Sequence, residues 1–288
     1  MTAQSPQAID ALAGISGSYD VILCDVWGVI HNGRDAYPEA VAALEEARDA
    51  GKAVILVTNA PRLAHEVEEM LVRVIGAPRS AWDRLVTSGD VTRGLIAEGP
   101  RRVFHLGPDR DLGIYEGLDA ELVEEFEAQA VVCTGLFDDE TESPDDYADM
   151  LRRLRARDLP FICANPDIVV ERGDRLIWCA GALARDYAQL GGRTLIAGKP
   201  HAPIYDAALA AAGEVLGREV KTSKVLAIGD GVLTDIKGAA GYGIDSLFVT
   251  HGIHASEYAS AAGVDAGKLA AFLGGHGLVP LATMPRLR

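Results

Sequence analysis

Cysteine is scarce in this chain, and its pattern excludes a disulfide or zinc framework. Cys24, Cys133, Cys163 and Cys179 form no Cys-x-x-Cys pair, and most stand in apolar runs, so they are expected as buried, reduced thiols. Long hydrophobic stretches are also missing. No run approaches the roughly 20 residues that cross a bilayer, and the polar segment Met1–Pro6 does not resemble a secretory signal. The expectation is a soluble, cytoplasmic protein without a membrane partner. Positive charge is outnumbered: 27 Lys and Arg face 42 Asp and Glu, for a formal net charge of −15. Such a surface repels nucleic-acid phosphates, so no nucleic-acid partner is expected. An acidic chain that binds an anion needs a local cation, from a metal or a lysine.

What is present is a large apolar fraction in short pieces. With 288 residues, 49% of them hydrophobic, the chain can bury one large core or two unequal ones. Short Val-, Ile- and Leu-rich runs alternate with amphipathic stretches: Val21–Cys24, a helical pattern near Pro38–Ala50, Ala53–Val57, and another near Arg62–Ile75. The alternation returns as Thr194–Ala197, Ile204–Leu216, Val225–Ile228, Leu233–Ala240 and Ser246–Val249. Continuous apolar strands separated by helices indicate an α/β fold, a Rossmann-like parallel sheet covered on both faces. Between them the strands Val103–Leu106, Ala130–Cys133 and Phe161–Cys163 are mixed with acidic segments, Glu121–Glu127 and Asp138–Asp146, expected as solvated helices. The predicted organisation is a core of residues 1–98 and 193–288 with a smaller α/β domain, 99–192, inserted in it.

Polar residues stand at the ends of four apolar strands. VILC ends in Asp25 and AVILV in Thr58-Asn59; TLIA is followed by Gly198-Lys199-Pro200, and VLAI by Gly229-Asp230, with Asp235 five residues on. Strand carboxyl ends share one edge of an open parallel sheet, where ligands bind. Sharing that edge would gather Asp25, Asp230 and Asp235 with Lys199 and Thr58. Carboxylates beside backbone carbonyls suit a hard cation such as Mg²⁺, and a lysine with a hydroxyl suits an oxyanion. Phosphate satisfies both. Singly, each residue has a plainer reading, as a turn or helix-cap side chain.

Taken in order, these motifs resemble the haloacid dehalogenase (HAD) superfamily. The resemblance rests on Asp25-Val-Trp-Gly-Val, Thr58-Asn59, Gly198-Lys199-Pro200 and Gly229-Asp230 with Thr234-Asp235. Asn165-Pro166-Asp167, in the insertion between the second and third motifs, is similar to the cap of the p-nitrophenyl-phosphatase-like and nucleotide-phosphatase-like subgroup (class IIA). The resemblance implies a Mg²⁺-dependent phosphatase of a small phosphorylated metabolite. Asp25 would be the nucleophile that forms an aspartyl-phosphate. Metal would be held by the Asp25 carboxylate, the backbone carbonyl of Trp27 and Asp230, with Asp235 supporting them from behind. Thr58 and the Asn59 amide would hold phosphoryl oxygens, and Lys199 would neutralise charge on Asp25 and the phosphate. Asn165 and Asp167 would bring the cap's return segment to the site. Related capped proteins often pair through this domain, so a homodimer is implied as well.

One position departs from the pattern. Family phosphatases carry a second Asp two residues after the nucleophile, as general acid and then base; here it is Trp27. Metal binding survives, since only the backbone carbonyl is used there. Indole cannot exchange the proton, so poor leaving groups should suffer most. Other branches of the superfamily, such as the P-type ATPases and phosphonatases, also lack this Asp. Two alternatives follow: a binding or regulatory protein with little turnover, or a phosphotransferase. His31 has a pKa suited to replacing the missing acid, although loop packing beside Asn32-Gly33 is the plainer reading. His251 and His254 make an HxxH without a third ligand at metal spacing, and Gly238-Ala-Ala-Gly-Tyr-Gly follows a helix rather than a strand. Neither supports a zinc or dinucleotide site.

Overall fold

Every residue of Val21–Cys24 and of Ala53–Thr58 is buried. A strand covered on both faces has no polar side to alternate with, which is why these read as unbroken apolar runs. In the computed structural model, which describes residues 6–172, 175–260 and 263–288, they are interior strands of a seven-stranded sheet. Its order is Gln7–Ala8, Ala282–Met284, Asp245–Val249, Val225–Gly229, Val21–Cys24, Ala53–Thr58 and Arg84–Thr87. The pairings from Gln7–Ala8 through Ala53–Thr58 are parallel. The helix Pro38–Asp49 starts on a proline, whose missing N–H is harmless there, and buries Ala40, Val41, Ala43, Leu44 and Ala47 at helical spacing.

A separate five-stranded parallel sheet runs Thr194–Ile196, Phe161–Cys163, Ala130–Cys133, Arg102–Leu106, Glu121–Leu122. Its two faces follow from the period of two along each strand. Val131, Cys133, Phe161 and Cys163 face a core completed by the helices Ala148–Ala156 and Ala180–Gln189. Val103, Ala130, Val132 and Ile162 face the other, with Ile96, Ile114 and Tyr115. An antiparallel ribbon, Val169–Arg172 with Arg175–Trp178, follows Asn165-Pro166-Asp167.

The chain divides into two compact units, Met1–Thr58 with Glu68–Val86 and Tyr205–Arg288, and Asn59–Val67 with Thr87–Ile204. The α/β expectation and the parallel core are observed. Thr194–Ile196 differs from its expected place: it pairs with Phe161–Cys163 in the second sheet, so Lys199 does not follow a strand of the first. An apolar run of three residues carries no mark of the sheet it joins. The acidic segments are not α-helices. Glu121–Leu122 is an edge strand and Glu125–Glu127 a single tight turn. Asp138 turns its own loop by accepting from the Glu140 N–H and the Thr141 hydroxyl, at 2.9 and 2.8 Å, a local alternative to helix that Asp favours. All four cysteines are buried thiols outside any disulfide.

Candidate active site

The first unit builds an acidic centre from three adjacent pieces of chain. Asp25 follows Val21–Cys24 and Asp230 follows Val225–Gly229, and these strands are neighbours with Cys24 opposite Ile228. The Asp25 N–H continues the ladder by donating to the Ile228 carbonyl at 2.8 Å. Asp235 lies on the wide turn Val232–Ile236 that begins just beyond. One carboxylate oxygen from each of Asp25, Asp230 and Asp235 lies within 4.8 Å of the others. Among the described residues this is the one group of three His, Cys, Asp or Glu side chains placed to hold a metal ion. Thr58 ends the neighbouring strand Ala53–Thr58 and is also buried.

Glycines make the room for these carboxylates. A Cβ at Gly28 would lie 2.2 Å from Asp230 Oδ2, and one at Gly252 would lie 2.0 Å from it. Gly28 also has φ +82°, a conformation that disfavours any side chain. A Cβ at Gly229 would meet the Asp235 carboxyl carbon at 2.1 Å. Orientation is then set by backbone donors. The Ile253 N–H gives a 2.9 Å bond to Asp230 Oδ2, and the Gly231 N–H a 3.1 Å bond to Asp235 Oδ2. Three buried carboxylates held this close repel one another strongly unless a cation lies among them. Hard oxygen donors in a cradle without room for other side chains fit Mg²⁺ or Ca²⁺, and the absence of sulfur and imidazole argues against softer metals. Nothing in the sequence marked Gly252 or the Ile253 N–H, because both lie in a loop after the last long strand.

The loop after Asp25 packs on itself. Trp27 bridges to His31, and His31 to Ala36. The indole and imidazole rings are 5.0 Å apart, and a Cβ at Gly33 would come within 2.7 Å of the indole Cζ2. His31 is fully buried, its Nδ1 accepts from the Gly33 N–H at 2.8 Å, and burial pushes its pKa down to about 4. A buried, neutral ring with its Nδ1 engaged is consistent with loop packing beside Asn32-Gly33. His254 packs on Phe272, with ring centroids 5.2 Å apart.

The second unit brings together Asn59, Lys199, Asn165 and Asp167. The Asn59 side chain accepts from the Lys199 N–H at 2.8 Å and donates to the Lys199 carbonyl at 3.2 Å and to Asp167 Oδ1 at 2.9 Å. With its amide so engaged, any contact of Asn59 with a phosphoryl oxygen falls to its backbone N–H. Asn165 Oδ1 accepts from the Asp167 N–H at 3.1 Å.

The haloacid dehalogenase-like hydrolase family matches residues 22–121, and a HAD-hydrolase-like family matches residues 196–270. No protein of curated function matches significantly. Among solved structures, a possible sugar phosphatase of the HAD superfamily from Cytophaga hutchinsonii is similar at 20% identity and TM-score 0.77, over 97% of this chain and 98% of that one. The glycerol phosphate phosphatase from Mycobacterium tuberculosis, in complex with calcium, is similar at 26% identity and TM-score 0.62, over 86% of this chain and 71% of that one. A haloacid dehalogenase-like hydrolase from Brucella suis 1330 matches at 57% identity and TM-score 0.88, over 97% of this chain and 100% of its own. At that identity and coverage, with the motifs in order, the chain belongs to the haloacid dehalogenase-like hydrolase family.

Proposed function

We propose that this hydrolase is a phosphatase of a small phosphorylated metabolite, reacting through Asp25 and selective for good leaving groups. The observation that carries the reading is the convergence of Asp25, Asp230 and Asp235 within 4.8 Å, in a cradle of glycines. Residues 1–98 and 193–288 would act as the catalytic core and 99–192 as a cap of the p-nitrophenyl-phosphatase-like kind, choosing the substrate.

Asp25, the Trp27 backbone carbonyl and Asp230 would hold Mg²⁺, with Asp235 behind them. When bound, the ion supplies positive charge to the phosphoryl oxygens. An Asp25 carboxylate oxygen attacks phosphorus, the bond from phosphorus to the leaving oxygen breaks, and the leaving group departs with the electron pair. Water then attacks the aspartyl-phosphate, releasing inorganic phosphate and restoring the carboxylate. Thr58 and the Asn59 backbone N–H would orient the phosphoryl oxygens, and Lys199 would balance their charge, so positioning and electrostatics carry the catalysis.

Trp27 sets the limit. General acid–base catalysis is worth roughly 10²–10⁴-fold, and an indole packed on His31 and Gly33 supplies none. Phenolate and carboxylate leaving groups need no proton; sugar alkoxides do. The same residue favours a second reading, a phosphate-ester-binding protein with little turnover.

The test is Mg²⁺-dependent phosphate release from esters of graded leaving-group pKa, with Asp25→Asn as the blank. Activity above the blank on aryl and acyl phosphates, falling steeply on alkyl ones, is the expected result. Wild type equal to the blank throughout would transfer the conclusion to the binding reading.

A further inference from the structure

Lys199 is 3% exposed and Asn59 2%, and the side chain of one grips the main chain of the other. Asn59 Oδ1 accepts from the Lys199 N–H at 2.8 Å, while Asn59 Nδ2 donates to the Lys199 carbonyl at 3.2 Å. A single side-chain amide thus holds both polar groups of one backbone residue, as a neighbouring strand would. An amide can do this in either of two orientations, with its nitrogen and oxygen exchanged. Asp167 selects between them. Its Oδ1 receives the Asn59 Nδ2 hydrogen at 2.9 Å, and an ionised carboxylate only accepts. Turned over, the amide would present oxygen to oxygen.

The rest of the surroundings leave the arrangement little freedom. Asp167 is fixed through its own backbone, its N–H donating to Asn165 Oδ1 and its carbonyl accepting from the Gly181 N–H, both at 3.1 Å. A Cβ at Gly181 would fall 2.2 Å from the Pro166 carbonyl oxygen. A Cβ at Gly198 would fall 2.5 Å from Ser88 Oγ, 2.7 Å from Asn59 Oδ1 and 2.9 Å from Pro166 Cγ. The residue before the lysine therefore has no room to carry a side chain.

We propose that Asn59 and Asp167 are positioning residues that act through Lys199, fixing the point from which its flexible stem delivers the ammonium to the phosphoryl group. The proposal rests on the phosphatase reading. It makes Asp167 more than a neighbour of the substrate: the residue sets which way the Asn59 amide faces, and the amide sets the lysine. A lysine carries a compact charge on four rotatable carbons, so its placement depends on where the stem is rooted. Misplacement by about 1 Å can cost about 10²-fold in rate.

A merely structural role would lower stability without dependence on the lysine, so the test is a double-mutant cycle. Asn59→Ala and Asp167→Ala are each measured for kcat/KM on p-nitrophenyl phosphate, alone and with Lys199→Ala. Alone, each is expected to lose about 10²-fold. Beside Lys199→Ala, each should cost less than about threefold, because the group it positions is gone. Asp167→Asn, whose carbonyl oxygen accepts the same bond, should recover most of the activity. Equal losses in both backgrounds, or no rescue by Asp167→Asn, would overturn the proposal. If Asn59→Ala does not fold, the Asp167 cycle decides. If wild type releases no more phosphate than Asp25→Asn, the hydrolase reading is what fails. The cycle is then read in the Kd for inorganic phosphate: non-additive losses support the clamp, and additive losses or no measurable binding overturn it.

Discussion

Trp27 and Gly252 bear on the acidic centre in different ways, Trp27 by standing two residues after Asp25 and Gly252 by leaving room for the Asp230 carboxylate. The indole occupies the position where the resemblance calls for a carboxylate, and it packs on His31 with ring centroids 5.0 Å apart. Trp27→Asp should raise kcat/KM for alkyl phosphates at least about tenfold, part of what general acid–base catalysis is worth, and change aryl phosphates little. Lost ring packing should cost about 3 kcal/mol, the low end for a truncated aromatic, because Trp27 is only half-buried. A leaving-group series checks the rate and a melting curve checks the stability; a folded, Mg²⁺-binding variant without the gain would mean that the acid is not the limiting defect. Gly252→Ala places a carbon where Asp230 Oδ2 now lies, 2.0 Å away. Disturbing the groups that orient a metal ligand typically costs 10–100-fold in affinity, so Mg²⁺ binding by titration calorimetry should weaken by about that much. Wild-type affinity in this variant would show that Asp230 is not a ligand. Asp25 and Asp230 could be read from the sequence because each follows an apolar strand, and Asp235 because it stands five residues beyond Asp230. The glycine opposite could not, because what it makes room for is 22 residues away in the chain.

Pattern is strongest where a whole element repeats it. Val21–Cys24, Ala53–Thr58, Val225–Gly229 and the helix Pro38–Asp49 fall within a residue or two of their expected places, since continuous burial or helical spacing constrains every position. It is weakest at short and edge elements. Gln7–Ala8, Arg84–Thr87 and Ala282–Met284 gave no apolar run long enough to notice, and Thr194–Ile196 could have joined either sheet. Sheet membership is decided by pairing with distant residues, here Thr194 beside Phe161, and local sequence does not encode it. Helix ends are local and can be tested locally. Asp265 caps Ala266–Gly275 by accepting from the Lys268 N–H at 2.9 Å. Asp265→Ala should cost about 1 kcal/mol, lowering Tm by about 2–4 °C for a domain of this size, with kcat/KM unchanged. A fall in activity beyond that in stability would mean that this helix does more than cover the sheet.

Across the molecule the acidic excess, −15 in formal charge, is a surface property that favours solubility, whereas a buried carboxylate must be answered individually. The two units do this differently. Asp25, Asp230 and Asp235 converge within 4.8 Å in the first, where a bound cation would answer all three. In the second, Asp111 is 3% exposed, and burial pushes its pKa from 3.8 up to about 6 despite Arg110 and Arg62 nearby, so below that pH a proton does the neutralising. The sign of the stability effect follows. An unfolded Asp111 loses its proton near 3.8, while the folded one keeps it to about 6. Between those values the native state binds more protons, so stability falls as pH rises, and above about 6 the penalty is present in full. A shift of this size corresponds to at most about 3 kcal/mol. Asp111→Asn removes the ionisation and should raise Tm at pH 7.5 while leaving it nearly unchanged at pH 4, as thermal melts at the two pH values would show. An equal shift at both would trace the effect to packing around Asp111 rather than to its charge. The acidic centre of the first unit should respond to Mg²⁺ instead, and the Asp111→Asn gain at pH 7.5 should be the same with the ion present or removed.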